Sequence, residues 1–138
     1  MRSAANASGA CTAPSRRTAL RTRVVNIASD TALWGAPQRL HYVASKGAVL
    51  SMTKGLAKEL GGDGVRVNAI CPGIIDTFRL DDIPRGERWD AMVERQIPLG
   101  RAGTGEDIAW MAVYLCSDQG SWITGQLYTV DGGTLPGR

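Results

Sequence analysis

The chain has 138 residues and a formal net charge of +3, with 16 Lys and Arg against 13 Asp and Glu, which is enough length for one domain with a real core. Residues 1–23 hold five of the basic residues, no acid and no apolar stretch that could form a membrane span or a secretory signal. The rest carries a net charge of −2, so the basic balance does not indicate nucleic-acid binding by the folded part.

We therefore divide the chain into a basic leader, residues 1–22, and a folded part, residues 23–138. The leader is rich in Ala, Ser, Arg and Thr, and this composition predicts disorder. It resembles an organelle transit peptide, and it equally resembles the product of a truncated or misread reading frame; we favour the second origin. The three cysteines have no C-x-x-C spacing, which indicates reduced thiols in a cytoplasmic protein.

The first predicted element is a strand at 24–29, an apolar run rich in β-branched residues that is typical of a buried strand. It ends at Ser29, before the polar break Asp30-Thr31. Open α/β sheets bind ligands at the carboxyl ends of their strands, so Ser29 is a candidate site residue. A loop at 34–37, with two helix breakers, follows.

A helix is predicted from about His41 to Leu60, because its apolar residues recur at spacings of three and four. Tyr42 and Lys46 lie one turn apart on it and so share a face. An ammonium group held beside a phenol favours the phenolate, and a serine hydroxyl could hold a substrate oxygen for proton transfer. Tyr-x-x-x-Lys alone is a weak pattern, since short motifs match by accident and a partly buried tyrosine beside a solvated lysine on an ordinary helix also fits it.

The helix is predicted to stop at Gly61-Gly62, and a second strand follows at 65–70, running into Pro72-Gly73. Strand, helix and strand with short connections form a βαβ unit, which predicts parallel strands and a right-handed crossover. A last strand is predicted at 126–130. The sequence thus predicts an α/β fold with a parallel sheet.

Together these segments resemble the short-chain dehydrogenase/reductases, and the blocks occur in the family's order with family-like spacing over roughly residues 24–133. The blocks are Val25-Asn26-Ile27-Ala28-Ser29, Tyr42-Val43-Ala44-Ser45-Lys46, Arg66-Val67-Asn68-Ala69-Ile70-Cys71-Pro72-Gly73, Pro98-Leu99-Gly100-Arg101, Glu106-Asp107-Ile108-Ala109, Ile123-Thr124-Gly125 and Val130-Asp131-Gly132-Gly133. The resemblance implies an oxidoreductase that uses NAD or NADP to interconvert a secondary alcohol and a ketone. It also implies a homo-oligomer.

The resemblance further implies roles for single residues. Tyr42 would be the acid-base residue, Lys46 would support the phenolate and bind the nicotinamide ribose, and Ser29 would orient the substrate carbonyl. The cofactor-binding set would be Tyr42, Lys46, Pro72, Gly73, Ile75 and Thr77, with Ile75 offering backbone groups and Thr77 a hydroxyl to the nicotinamide carboxamide. No metal is implied, and the single histidine, His41, lacks the partners of a metal site.

The sequence also departs from the family. No glycine-rich phosphate-binding turn follows a predicted strand, since the glycines at 61–64 follow a helix and precede a strand. The expected fold is therefore a partial Rossmann-type doubly wound sheet, the C-terminal, catalytic half of the family's domain. An alternative function follows: a catalytically incomplete fragment, non-enzymatic or able only to associate with a full-length relative.

Two helices remain beyond the second strand. Residues 78–97 carry an apolar stripe, which predicts either a mobile lid over the substrate or a surface helix docked on the core. Thr104 begins a second helix with a capping-box pattern.

Overall fold

The computed structural model describes residues 22–77 and 86–135. Within these residues, three strands and four α-helices follow one another: β1 (Arg23–Ile27), α1 (Thr31–Trp34), α2 (Leu40–Leu60), β2 (Arg66–Pro72), α3 (Glu87–Gln96), α4 (Gly105–Cys116) and β3 (Leu127–Val130). The leader proposed for residues 1–22 lies almost wholly outside the described residues.

The three strands form one parallel sheet in the order β1-β2-β3. Residues 65–71 of the central strand region are all buried, as expected where a strand is covered on both faces. The parallel pairing of β1 with β2 across α2 confirms the βαβ prediction. The fold is thus a mixed α/β fold with a three-stranded parallel sheet.

The prediction that the first strand is buried was wrong. Residues Arg23–Asn26 are only half-buried, and Ile27 is 47% exposed. The reason is that, among the described residues, β1 hydrogen-bonds along one edge only, to β2. Burial of a strand depends on its neighbours as well as on its own apolar content.

Helix α2 packs on the sheet through apolar contacts and one polar link. Leu50 belongs to a core cluster with Ala28 and Ala69. The Asn26 side-chain amide donates a 2.9 Å hydrogen bond to the Thr53 hydroxyl, which in turn donates to the Val49 carbonyl. This link holds α2 against β1. It thereby determines which side of the helix lies toward the carboxyl end of β1.

Two helix boundaries differ in detail from the sequence predictions. Helix α2 ends at Leu60 as expected, but Gly61–Asp63 continue as a 3₁₀ turn, and the left-handed residue is Gly64 at φ 78°. The predicted polar break after Ser29 leads into the short helix α1, whose last residue, Trp34, is the first residue of the predicted loop at 34–37. A 3₁₀ turn at a helix end is a common way to satisfy the last carbonyls.

Helix α4 begins with the predicted capping box, in which Thr104 and Asp107 exchange side-chain-to-backbone hydrogen bonds. In α3, Val93 is buried, and Ile97, just after the helix, is 2% exposed, so this end of the segment is docked on the core. The residues 78–85 of the predicted lid lie outside the described residues. Across the described ranges, no helix combines the length and apolar character needed to cross a membrane.

Candidate active site

The carboxyl ends of the three strands are linked to one another by backbone hydrogen bonds. The Asp30 N–H donates to the Pro72 carbonyl at 3.1 Å, and the Gly73 N–H donates to the Val130 carbonyl at 3.1 Å. Ser29, the Pro72-Gly73 turn and the segment after β3 therefore form one edge of the sheet. This is the edge at which open α/β sheets bind ligands.

Tyr42 and Lys46 lie one turn apart in α2, as predicted, and Lys46 reaches the same edge. The Lys46 ammonium nitrogen lies 5.9 Å from the centroid of the Tyr42 ring and donates a 2.9 Å hydrogen bond to the Ile27 carbonyl. Ile27 is two residues before Ser29. The structure thus ties the Tyr-x-x-x-Lys face to the strand end that carries Ser29, while the catalytic roles of the three stay predictions.

Ser29 is buried, at 7% exposure, and its hydroxyl is fully engaged. It accepts hydrogen bonds from the Thr31 hydroxyl at 2.9 Å and the Thr31 N–H at 3.3 Å, and it donates to the Asp30 carboxylate at 3.3 Å. A hydroxyl has one hydrogen to donate and two lone pairs. Ser29 would therefore have to exchange one of these bonds in order to hold a substrate oxygen.

The loop after β2, which the sequence predicts to bind the nicotinamide end of the cofactor, is held by Gly103. The Ile74 carbonyl and the Asp76 N–H both bond to Gly103, at 2.9 and 2.7 Å. Because adjacent peptide groups in extended backbone alternate in direction, the N–H and C=O of Ile75 point to the opposite side, where a carboxamide could bind them. Thr77 is half-buried at the end of this described stretch.

Gly73 lies in close contact with the backbone after β3, because a Cβ on it would lie 2.6 Å from the Asp131 Cβ and 2.8 Å from its Cα. The absence of a side chain lets the loop approach the turn after β3. We expect Gly73→Ala to lower the free energy of unfolding by about 1–3 kcal/mol, since the clash is with backbone. Chemical denaturation followed by circular dichroism measures this.

Gly55→Ala is the matched control, since the position lies in the middle of α2 with no atom near the added methyl. It should raise the free energy of unfolding by about 0.5–1 kcal/mol. Equal stability of the two variants would contradict the close approach at Gly73.

Asp30 is a site residue that the sequence pattern did not reveal, because a polar residue after a strand normally indicates a solvated turn. It is only 5% exposed. Burial raises the pKa of its carboxyl above the ordinary value, although hydrogen bonds from the Trp34 side chain, the Thr31 N–H and Ser29 act in the opposite direction. The feature of the sequence that could have identified Asp30 as a site residue is its position directly after Ser29.

Cavities lie at both ends of the strands in the described part of the chain. The larger, about 670 Å³, is lined by residues at the amino ends of β1 and β2, including Arg23 and Arg66, and by Trp122. A smaller one of about 90 Å³ lies beside Ile75 and Asp131, at the carboxyl edge. We place the candidate site at the carboxyl ends of the strands, where Ser29 and the Pro72-Gly73 turn lie, although neither lines this smaller cavity. Within the described ranges, no group of three or more metal-binding side chains is present.

Comparison with known proteins identifies the family. A family model described as enoyl-(acyl carrier protein) reductase matches residues 1–134. The chain belongs to this family of short-chain dehydrogenase/reductases. The family assignment made from the motifs is confirmed.

Three similar proteins illustrate the match. The 3-oxoacyl-[acyl-carrier-protein] reductase FabG of Thermotoga maritima is 43% identical over 112 residues, which are 81% of this chain and 45% of that protein. A mutant 4-hydroxyisoleucine dehydrogenase solved with NADH and succinate matches with a TM-score of 0.79 and 38% identity, over 84% of this chain and 48% of that one.

An Agrobacterium tumefaciens protein solved with bound NADP, named as a candidate 2-deoxy-d-gluconate 3-dehydrogenase, matches with a TM-score of 0.77 and 39% identity. The match covers 82% of this chain and 46% of that one. The chain therefore spans about half the length of the relatives it matches.

Proposed function

We propose that the chain is the catalytic part of an oxidoreductase that uses NAD or NADP to interconvert a secondary alcohol and a ketone. The observation that carries the proposal is the position of Lys46, which contacts both the Tyr42 ring and the end of the strand bearing Ser29. Membership of a family whose similar members are dehydrogenases and reductases supports it.

Each of the three side chains has a distinct task in this proposal. Tyr42 passes a proton to or from the substrate oxygen, and Ser29 holds that oxygen by a hydrogen bond. Lys46 stabilises the phenolate by its charge and hydrogen-bonds the nicotinamide ribose. The nicotinamide, when bound, supplies or accepts the hydride. Pro72, Gly73, the Ile75 backbone and the Thr77 hydroxyl would hold its carboxamide end.

Fluorescence titration with NADH and with NADPH tests this proposal on the purified chain. We expect saturable binding of one of them and its oxidation in the presence of at least one ketone from cyclohexanone, acetophenone and an acetoacetyl thioester. The thioester is included because a similar protein is named as a 3-oxoacyl reductase. The proposal would be contradicted if neither NADH nor NADPH bound to the chain and neither was oxidised with any of the three ketones.

The second candidate function is a catalytically incomplete polypeptide that associates with a longer relative. The outer edge of β1 supports it, because among the described residues this edge has no strand partner and Ile27 is exposed there. Leu33 and Trp34 next to it are also about half exposed. An unpaired edge with apolar neighbours is a site for pairing with another chain.

Sedimentation velocity of the chain with and without the Thermotoga maritima reductase separates the two candidates. The second candidate predicts a heavier complex in the mixture and no cofactor binding by the chain alone. The first predicts cofactor binding by the chain without the reductase.

Our proposal also includes a cytoplasmic location, a small-molecule substrate and self-association. Self-association is supported by three exposed apolar side chains on α4, those of Trp110, Val113 and Tyr114. The same sedimentation experiment on the chain alone measures it, and a monomer at all concentrations would contradict it.

A further inference from the structure

A buried carboxyl group lies directly beside the candidate substrate-orienting hydroxyl. Asp30 is 5% exposed, and its carboxylate accepts the hydroxyl hydrogen of Ser29 at 3.3 Å. Carboxylates are seldom buried without a partner, because removing the charge from water is costly. Here the partners are hydrogen-bond donors, namely the Ser29 hydroxyl, the Thr31 N–H and the Trp34 side chain.

The Ser29 hydroxyl has no spare hydrogen-bonding capacity while Asp30 is ionised. Both of its acceptor positions are filled by Thr31, and its single hydrogen points to Asp30. An ionised Asp30 therefore keeps the hydrogen away from a substrate ketone. A protonated Asp30 no longer attracts that hydrogen strongly, so the hydroxyl is free to donate it.

We propose that Asp30 is a positioning residue that sets, through its own protonation state, whether Ser29 donates a hydrogen bond to a substrate ketone. The inference rests on the proposed function, since it assumes that Ser29 binds the substrate oxygen. With Asp30 protonated, ketone reduction is favoured. With Asp30 ionised, the Ser29 hydrogen stays hydrogen-bonded to the carboxylate, and ketone reduction is disfavoured.

The net effect of the surroundings of Asp30 is to raise the pKa of its carboxyl. Burial raises the pKa of its carboxyl, and the negative charge of Asp131, in the turn after β3, raises it further. Cys71 on β2 also faces it, and the pKa of that buried thiol is raised first by burial and then by the charge of Asp30. The position of Asp131 is itself fixed, since its carboxylate accepts bonds from the Gly133 and Leu135 N–H groups.

Carbon-13 NMR of the Asp30 carboxyl in the full chain tests the link without requiring turnover. Asp30→Asn identifies the resonance by removing it. In Ser29→Ala the titration midpoint should move upward, because the carboxylate loses a donor. Ser51→Ala, an exposed serine of α2, is the matched control and should leave the midpoint unchanged. An unchanged midpoint in Ser29→Ala overturns the inference.

A pH profile tests the catalytic consequence. We expect the ratio of ketone-reduction kcat to alcohol-oxidation kcat to show an inflection at the midpoint measured by NMR. This inflection should be lost in Asp30→Asn, with little change in KM. Its persistence in Asp30→Asn overturns the inference, because a merely structural role for Asp30 would not remove it.

The two measurements keep this inference separate from the proposed function. Turnover with an unchanged Asp30 midpoint in Ser29→Ala contradicts the inference and leaves the proposed function standing. An upward shift without turnover of any ketone contradicts the proposed function and leaves the Asp30–Ser29 hydrogen bond established.

Discussion

Replacing Tyr42 by phenylalanine is expected to lower ketone reduction by about 10²–10⁴-fold, because it removes the hydroxyl that would transfer the proton. The ring and its contact with Lys46 are kept, as is the hydrogen bond from Lys46 to the Ile27 carbonyl. Cofactor binding should therefore change little, and the loss should appear in kcat. Steady-state kinetics with the fastest ketone of the panel and a fluorescence titration with the cofactor measure the two effects.

Tyr114→Phe is the matched control, since Tyr114 is an exposed tyrosine on α4. Its turnover should equal that of the unaltered chain. Comparable turnover in Tyr42→Phe and Tyr114→Phe would show that the Tyr42 hydroxyl does not transfer the proton. A Tyr42→Phe variant that has also lost cofactor binding would indicate that the phenol hydroxyl contributes to the cofactor site as well.

The pairing of Tyr42 with Lys46 could be predicted from the sequence because it depends only on local helical spacing. The partner of Lys46 could not be, because the Ile27 carbonyl is 19 residues away and approaches only when α2 packs on β1. The same limit applies to Asp30, whose burial depends on the Pro72 carbonyl and the turn after β3. Local patterns thus identified the chemical groups, and tertiary packing determined their surroundings.

The order of elements was predictable for a similar reason. A short βαβ unit leaves little choice but parallel strands, so the pairing of β1 with β2 followed from the hydrophobic pattern. The exposure of Ile27 did not follow, because the pattern of a strand shows its apolar content and not the number of its neighbours. This difference is also why the outer edge of β1 becomes a candidate surface for association.

The contribution of Arg66 to the stability of the fold could likewise not be predicted from the sequence, because it depends on tertiary contacts. A charged residue at the start of a strand normally indicates a solvated end, yet this side chain is buried. Its guanidinium donates to the carbonyls of Leu115 at 2.6 Å, Ser117 at 3.2 Å and Ile123 at 3.1 Å. Two of these acceptors lie at the C-terminal end of α4, where a cation is favoured by the helix dipole.

We expect Arg66→Met to lower the free energy of unfolding by about 3–4 kcal/mol. Methionine can fill the space of the aliphatic stem, but it removes the guanidinium donor from the Leu115 and Ser117 carbonyls, while the Ile123 carbonyl keeps the Asn68 amide as a donor. Each buried group that loses its partner costs about 1–3 kcal/mol. Chemical denaturation with a global fit of both variants measures the difference. The loss should be larger than that from Gly73→Ala, because a clash can relax by small backbone shifts and a missing donor cannot be replaced.

Lys54→Met, on the exposed side of α2, is the control for removing a long cationic side chain and should change the stability by no more than about 0.5 kcal/mol. A similar small effect of Arg66→Met would mean that water replaces the guanidinium at the end of α4. That outcome would assign Arg66 to the adjacent 670 Å³ cavity as an open, solvated group. A large effect would establish it as the link that joins α4 and the segment before β3 to the central strand.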